Sequence, residues 1–194
     1  KPETVGGLEV AERIVLLSQI AWDDPYRAVT NNKGIMNGVD AALIATGNDY
    51  RAVEAACGVM ANQSGQYRSL SKWTLENGQL CGQLTLPLAI GTVGGSIAAR
   101  NDVQQAYRLL GNIKAKELAE IIASIGLANN LAAILAISTT GIQAGHMKLQ
   151  ARNLVAALMA TDEEKKQVLK LMRKSKKYTM HDAEEFLQKV RGEK

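Results

Sequence analysis

The chain has 194 residues, of which 46% are hydrophobic and 22% charged, and its formal net charge is +4. A chain of this length can bury about two thirds of its unfolded surface, so one core with a small appendage is expected. The composition is that of a soluble globular protein and excludes a disordered or fibrous chain. Residues 161–194 hold ten Lys and Arg against seven acids, so a basic tail rather than a basic body sets the charge.

Three further classes are disfavoured by the sequence. Cys57 and Cys81 are the only cysteines and do not form a CxxC pair, so neither a disulfide framework nor a metal site is predicted, and a reducing cytoplasm is expected. The longest apolar stretch, Leu131–Ile137, is far shorter than the roughly 20 residues of a membrane span. The basic tail also contains acids and lacks an aromatic platform, which favours a solvated helical face over nucleic-acid binding.

The first half of the chain predicts helices. An apolar stripe from Val10 to Ala21 predicts a first helix that ends near Asp24-Pro25. From Asn32 onward glycines alternate with apolar residues, which predicts two short, tightly packed helices. The break between these helices is predicted at Thr46-Gly47-Asn48, and the second helix runs to about residue 61.

A change of period after the second helix predicts a β-hairpin. Apolar and polar residues alternate from Leu80 to Leu86, as in a half-buried strand, and Asn77-Gly78 before this segment favours a tight hairpin turn. The partner strand is predicted over Tyr67–Leu75. Because a lone hairpin is unstable in water, this pair must join further strands or lie on helices.

The second half of the chain also predicts helices. They are expected over 102–110, 116–138 and 147–159, with a loop over 140–145 that places His146 at a helix start. Thr161 followed by acids is a helix-start signature, and a last helix is expected from about His181. Before residue 102 lies the glycine-rich segment GTVGG, which lacks phosphate-loop spacing and favours tight packing over phosphate binding. The predicted fold class is α+β, predominantly helical, with parts at 1–140 and 141–194.

Lys33, Asp49 and His146 are the candidate catalytic residues. They supply a cation, a carboxylate and an imidazole, which are the groups needed to polarise a carbonyl and to move protons. On composition alone a Lys, an Asp or a His is more often structural or solvated than catalytic. The choice therefore depends on the sequences around these residues.

Three motifs carry a family resemblance. They are NNKGIMNGVDAALIATGNDYRAVEA, then LPLAIGTVGG, then TTGIQAGHMKLQARN, and in this order they resemble 3-hydroxy-3-methylglutaryl-CoA reductase of the bacterial, soluble class (class II). The resemblance extends over nearly all 194 residues and implies the C-terminal portion of such an enzyme. Asn31 and Gln150 depart from it, because they stand where that family commonly carries histidine.

The resemblance implies a role for each candidate residue. Lys33 would stabilise the oxyanion that develops on the thioester and then on the aldehyde, and Asp49 would orient and tune Lys33. His146 would protonate the departing CoA thiolate. Arg27 and Asn37 match positions that hold the carboxylate and hydroxyl end of the hydroxymethylglutaryl group.

The resemblance also implies partners and architecture. The ligands would be hydroxymethylglutaryl-CoA, mevalonate, CoA and either NADPH or NADH, and the enzyme would be a cytoplasmic homodimer with its active site at the subunit interface. Residues 1–140 would be the C-terminal part of the substrate-binding large domain, and 141–194 a mobile helical flap that carries His146. A catalytic glutamate and a small cofactor domain are expected upstream of Lys1. The alternative is that the isolated chain is a non-catalytic folding or interaction module.

Overall fold

The computed structural model describes residues 1–95 and 97–192, with the side chains of Ala144 and His146 excepted. Within this part of the chain there are eight α-helices and one antiparallel sheet of two strands, so the predicted α+β, predominantly helical class is confirmed. Residues 1–139 and 140–194 form two compact units. The elements, in chain order, are α1 Leu8–Asp23, α2 Pro25–Ala45, α3 Tyr50–Ala61, β1 Ser71–Glu76, β2 Gln79–Leu84, α4 Asn101–Leu110, α5 Ala115–Ser138, α6 Ile142–Ala156, α7 Asp162–Ser175 and α8 Met180–Arg191.

The α1–α2 junction lies at Asp24-Pro25, as predicted. The Asp24 carboxylate accepts a hydrogen bond from the backbone N–H of Tyr26 at 2.9 Å, and Pro25 occupies the first helical position, where no N–H is needed. The prediction of a short helix from Asn32 is wrong, because α2 begins at Pro25 and runs unbroken for 21 residues. Its interior glycines serve packing instead: a Cβ on Gly38 would lie 2.9 Å from the Ile125 side chain of α5.

The hairpin is confirmed, with a shorter first strand than predicted. Asn77 and Gly78 have φ values of 52° and 71°, as a two-residue hairpin turn requires. The first strand begins at Ser71 rather than Tyr67, and Trp73 lies opposite Gly82. Among the described residues no third strand joins the pair; the hairpin packs on α1 and α5 instead.

The contact between Gly82 and Trp73 gives a stability prediction. A Cβ on Gly82 would lie 2.5 Å from two carbon atoms of the Trp73 indole, whose position is held by a hydrogen bond from its Nε1 to Asn130. Gly82→Ala is therefore expected to lower the free energy of unfolding by about 1–3 kcal/mol. Gly58→Ala is the control, because among the described residues no atom beyond the adjoining backbone of the helix lies within 4 Å of its Cβ position and alanine favours helix by about 0.5–1 kcal/mol. Urea unfolding followed by tryptophan fluorescence measures both, and equal effects would contradict the prediction.

The long helix α5 forms the centre of the first unit. Every fourth residue from Leu118 to Ser138 is buried. Within this stripe Leu118 and Ile122 pack in one cluster with Ile35 and Val39 of α2, and Ile134 packs in another with Ile14 of α1 and Trp73 of β1. Among the described residues, α5 alone is long and apolar enough to cross a membrane by length and composition. The uninterrupted apolar stretch Leu131–Ile137 is thus only part of a longer apolar helix. In the fold, the buried stripe of this helix contributes to the core.

The second unit is a three-helix arrangement of α6, α7 and α8. Thr161 starts α7 as predicted, with reciprocal hydrogen bonds between Thr161 and Glu164, and Thr179 with Asp182 starts α8 in the same way. The core of the unit includes Val168, Met172 and Phe186. The predicted loop over 140–145 is wrong beyond Gly141, because α6 begins at Ile142. The backbone of residue 146 is therefore inside the helix rather than at its start.

Candidate active site on helix α2 and the α2–α3 corner

One side of α2 carries three of the predicted site residues. Arg27, Lys33 and Asn37 follow one another with Thr30 at steps of three or four residues, so they lie along one side of the helix. Lys33 and Asn37 are exposed, and Arg27 is half-buried. Within the described part of the chain, the side chains of Lys33 and Asn37 make no hydrogen bond or ion pair. A cation and an amide are thus available to an anionic or carbonyl-bearing ligand.

The Arg27 side chain is directed along this face. Its Nη1 donates a hydrogen bond to the Thr30 hydroxyl at 2.8 Å, and that hydroxyl donates to the Arg27 carbonyl oxygen at 2.9 Å. Thr30 lies three residues after Arg27 and three residues before Lys33, which is nearly one helical turn in each direction. The guanidinium is therefore held toward the end of the face where Lys33 lies, with its remaining donors available.

Asp49 lies at the corner between α2 and α3, where it caps α3. Its Oδ1 accepts hydrogen bonds from the backbone N–H of Arg51 at 3.0 Å and of Ala52 at 3.3 Å, and the Arg51 Nε lies 3.4 Å away. The backbone N–H of Ala52 and then the positive charge of Arg51 lower the pKa of Asp49. The carboxylate is therefore anionic at neutral pH and exposed to solvent.

Lys33 and Asp49 are not brought together within one chain. Helix α2 continues unbroken for 12 residues beyond Lys33, to Ala45, which is about 18 Å at the rise of an α-helix. Asn48 then folds back only as far as the Leu43 carbonyl oxygen, to which its N–H donates at 2.9 Å. The partners of Asp49 are Arg51 and Ala52. Within one chain the side chains of Lys33 and Asp49 are therefore apart.

The second motif is anchored to this corner. The Gly91 N–H donates to the Asn48 Oδ1 at 2.8 Å. The Tyr107 hydroxyl lies 3.3 Å from the Thr46 carbonyl oxygen and 3.2 Å from that of Gly91. Hydrogen bonds therefore hold Gly91 at this corner. The tight packing expected of GTVGG is not observed at its glycines, because a Cβ on Gly91 would meet one described atom, 3.7 Å away, and a Cβ on Gly94 or Gly95 would meet none within 4 Å beyond the neighbouring residues. An open groove of about 370 Å³ adjoins the corner, with Asp49 and Arg100 in its wall.

The comparisons with known proteins decide the family. The family model described as hydroxymethylglutaryl-coenzyme A reductase matches residues 1–151. The chain belongs to this reductase family. The resemblance found in the sequence motifs is thereby confirmed.

Named relatives of this reductase family cover nearly the whole chain. A 3-hydroxy-3-methylglutaryl-coenzyme A reductase of Archaeoglobus fulgidus is 41% identical over 191 residues, which are 98% of this chain and 44% of the relative. A solved reductase of Streptococcus pneumoniae is 47% identical, with a TM-score of 0.68 over 94% of this chain and 44% of that one. A class II reductase of the same organism, bound to NADPH in open conformations, is 48% identical with a TM-score of 0.67, covering 94% of this chain and 45% of that one. The chain thus spans less than half the length of these reductases.

His146, the third predicted catalytic residue, belongs to the second unit. Its backbone is in α6, and its side chain lies outside the described residues, so its predicted role stays a prediction. One turn further on, the Gln150 Nε2 donates to the Tyr178 carbonyl oxygen at 3.0 Å. Gln150, which departs from the reductase pattern, thus connects α6 to the α7–α8 turn.

A carboxyl pair between α2 and α3 was missed in the sequence. The Asp40 Oδ1 is buried and has no hydrogen-bond partner in the part of the chain that the structure describes. Burial, followed by the charge of Glu54, raises the pKa of Asp40 to about 6. Burial and then the charges of Asp40 and Glu54 raise the pKa of the Cys57 thiol to about 11. Cys57 is therefore a neutral core residue, as predicted. The only sequence signal for the pair was an acid near the apolar face of α2.

Within the described residues, no three His, Cys, Asp or Glu side chains form a group that could hold a metal ion.

The Asp40 carboxyl gives a prediction for stability against pH. Its pKa of about 6 lies above the ordinary value of 3.8, so the stability that the protonated group contributes is fully present below pH 3.8 and is lost as the pH rises through 6. Asp40→Asn should leave the free energy of unfolding little changed at pH 4. At pH 7.5 it should raise this free energy by roughly 1 kcal/mol, a value discounted for the partial exposure of the group.

Urea unfolding at the two pH values measures this effect. Glu12→Gln is the control, because Glu12 is an exposed carboxyl of α1 and its substitution should give no pH-dependent difference. Equal effects of Asp40→Asn at both pH values would contradict the prediction.

Proposed function

We propose that this chain supplies Lys33, Asp49 and His146 to the active site of a hydroxymethylglutaryl-CoA reductase. The enzyme would reduce the thioester to mevalonate and free CoA with two hydrides, or catalyse the reverse reaction. The observation that carries the proposal is the α2 face, on which Lys33 and Asn37 are exposed without a partner among the described residues and Arg27 lies along the same side. In a member of this family, such a face is suited to bind a carbonyl and a carboxylate.

Lys33 is proposed to stabilise charge on the substrate oxygen. Each hydride addition to a carbonyl carbon places negative charge on its oxygen, first at the thioester and then at the aldehyde. An ammonium group in a water-excluded site stabilises that charge by several kcal/mol. Because Lys33 is unpaired among the described residues, its ammonium group is available to the oxyanion without first breaking an ion pair.

The other residues bind substrate and supply a proton. Arg27 and Asn37 are proposed to hold the carboxylate and the hydroxyl of the hydroxymethylglutaryl group, for which a guanidinium and an amide are suitable partners. Between the two reductions the carbon–sulfur bond breaks and CoA leaves as a thiolate. His146 is proposed to give this sulfur its proton, because an imidazole has a pKa near neutrality. Units 1–139 and 140–194 would then correspond to the substrate-binding part and to a flap.

The hydride donor is proposed to be NADPH or NADH. The nicotinamide supplies the hydride, and the residues of this chain supply orientation and charge around its acceptor. A class II relative is known with NADPH bound, which supports the phosphorylated form. A cytoplasmic location is proposed on the same family relationship.

Asp49 is proposed to reach Lys33 from a second copy of the chain. The two side chains are separated by about half of α2 in one chain, whereas a homodimer can bring the α2 face of one copy to the α2–α3 corner of the other. The carboxylate would then hold the ammonium group charged and directed at the substrate oxygen.

The test compares this chain with the whole protein extended to the length of its relatives. With hydroxymethylglutaryl-CoA present, the whole protein should oxidise two reduced nicotinamides for each CoA thiol released, which absorbance and a thiol reagent measure together. The 194-residue chain alone should oxidise none. An inactive whole protein that is folded and dimeric would contradict the proposal and favour the non-catalytic module.

A further inference from the structure

Three asparagines are buried behind the candidate active site. Asn31, Asn32 and Asn130 have only 3%, 2% and 1% of their surface exposed. An amide group buried without partners is costly, so each of these side chains requires hydrogen bonds inside the fold. Two of them directly precede Lys33 on α2, and the third lies on α5.

Asn31 and Asn130 connect α2 to α5 and to the start of the hairpin. The Asn130 Nδ2 donates to the Asn31 Oδ1 at 2.9 Å. The Asn130 Oδ1 accepts from the Ser71 hydroxyl at 3.0 Å and from the Trp73 Nε1 at 2.7 Å. The Asn31 Nδ2 donates to the hydroxyls of Ser69 at 2.8 Å and Ser71 at 3.2 Å. Five hydrogen bonds thus connect the two helices with β1 and with Ser69 just before it.

Asn32 connects α2 to the segment that precedes β1. Its Nδ2 donates to the Arg68 carbonyl oxygen at 2.9 Å, and its Oδ1 accepts from the Leu70 N–H at 2.9 Å. This pair of bonds resembles the pairing of one strand residue with another. Because both polar atoms of the amide are used, Asn32 can satisfy them in one position of α2 only.

These bonds restrict α2 in a way that apolar packing does not. Apolar contacts tolerate sliding of a helix, whereas hydrogen bonds in a low-dielectric interior are directional and are lost on small shifts. Next to the network, Gly126 of α5 lies so close to α2 that a Cβ there would be 2.8 Å from Val39. Rotation or translation of α2 would therefore break the amide bonds and also produce steric overlap.

We propose that Asn31, through Ser71 and Asn130, and Asn32, through the backbone of Arg68 and Leu70, are positioning residues that fix the rotation and axial position of α2 and so place Lys33 for reaction. This inference rests on the proposed role of Lys33. The network lies on the buried side of α2, and Lys33 lies on its exposed side. The network therefore acts on Lys33 through the backbone of α2 and touches no substrate.

The experiment measures kcat, KM and hydrogen exchange in the whole protein. Asn31→Ala should lower kcat about tenfold or more, because misplacement of a catalytic group by about 1 Å has effects of this size or larger. KM for hydroxymethylglutaryl-CoA should stay within about threefold. Backbone amides over 31–37 should exchange faster than in the wild type, and tryptophan fluorescence should change because Trp73 belongs to the network.

Two serines provide matched variants. Ser71→Ala removes a hydroxyl from the network and should lower kcat by about three- to tenfold. Ser71→Thr retains the hydroxyl, so its kcat should lie within about twofold of the wild-type value. Ser138 is also buried on α5, but its hydroxyl has no hydrogen-bond partner among the described residues, so Ser138→Ala should leave kcat unchanged. A purely structural network would change the folded fraction and not the kcat of folded molecules.

The outcomes separate this inference from the proposed function. Wild-type kcat in folded Asn31→Ala or Ser71→Ala protein would overturn the inference, and so would an equal loss in Ser138→Ala. If Asn31→Ala does not fold, the Ser71 pair decides. If the wild-type protein has no reductase activity, the proposed function fails, and amide exchange over 31–37 in the Asn31→Ala protein then tests the network on its own. Faster exchange than in the wild type would support the anchoring of α2 by the network, and unchanged exchange would overturn it.

Discussion

Lys33→Ala should reduce turnover of hydroxymethylglutaryl-CoA by the whole protein by at least about 10²–10³-fold in kcat, the loss typical when one group that stabilises an oxyanion is removed. The physical reason is that the substrate oxygen becomes negative in both reduction steps, and Lys33 is the cation on the exposed face of α2 beside Asn37. Both the thioester and free mevaldehyde should be affected, since each passes through an oxyanion. Steady-state oxidation of the reduced nicotinamide measures both reactions.

The same variant should fold normally. Lys33 is exposed, and its side chain makes no hydrogen bond or ion pair with the other described residues. The free energy of unfolding of the Lys33→Ala protein should therefore differ from the wild-type value by less than about 0.5 kcal/mol. Lys116→Ala removes another exposed lysine, on α5, and should leave kcat unchanged. Retained turnover in Lys33→Ala would rule out Lys33 as the oxyanion partner.

Mixing two inactive chains tests whether Asp49 comes from a second copy. If each site takes Lys33 from one copy and Asp49 from the other, a dimer of one Lys33→Ala chain and one Asp49→Ala chain has one intact site. Random mixing should then restore about one quarter of the wild-type activity, because half of the dimers are mixed and each has one site of two intact. No recovery in a mixture shown to exchange subunits would place both residues in one chain.

The helix boundaries show which local signals were sufficient. Asp24-Pro25 and Thr46-Gly47-Asn48 mark helix ends through capping and backbone preferences that act within a few residues, and the structure has helix ends at both places. Gly34 and Gly38 were misread as signs of short helices. Their effect depends on α5, which packs closely at Gly38, and a partner some 90 residues away in the chain does not appear in a local pattern.

The candidate site also has some features that local sequence patterns predict and others that depend on the tertiary fold. The spacing of Arg27, Lys33 and Asn37 predicts a shared face as soon as α2 is known to be one helix. The distance between Lys33 and Asp49 depends on the continuity of that helix, which the sequence left open. The amide network was signalled only by polar residues in the buried stripe of α2, and its partner Asn130 lies 99 positions beyond Asn31. Tertiary contacts of this range require the fold itself.

His146→Gln should separate the two halves of the reaction. Reduction of the thioester should fall by about 10²–10⁴-fold, the usual contribution of a general acid, because CoA would leave as an unprotonated thiolate. Reduction of free mevaldehyde should fall much less, since no thiolate leaves in that step. Steady-state kinetics with each substrate at saturating nicotinamide measure the difference.

Two comparisons make the assignment of His146 specific. His181→Gln changes the other histidine, which is largely exposed on α8 and lies 3.6 Å from Glu185, and it should alter neither reaction. A thioester with a more acidic thiol should partly rescue His146→Gln, because a better leaving group needs less protonation. Equal losses with thioester and aldehyde would argue against thiolate protonation and would instead assign His146 to a step that the two reductions share.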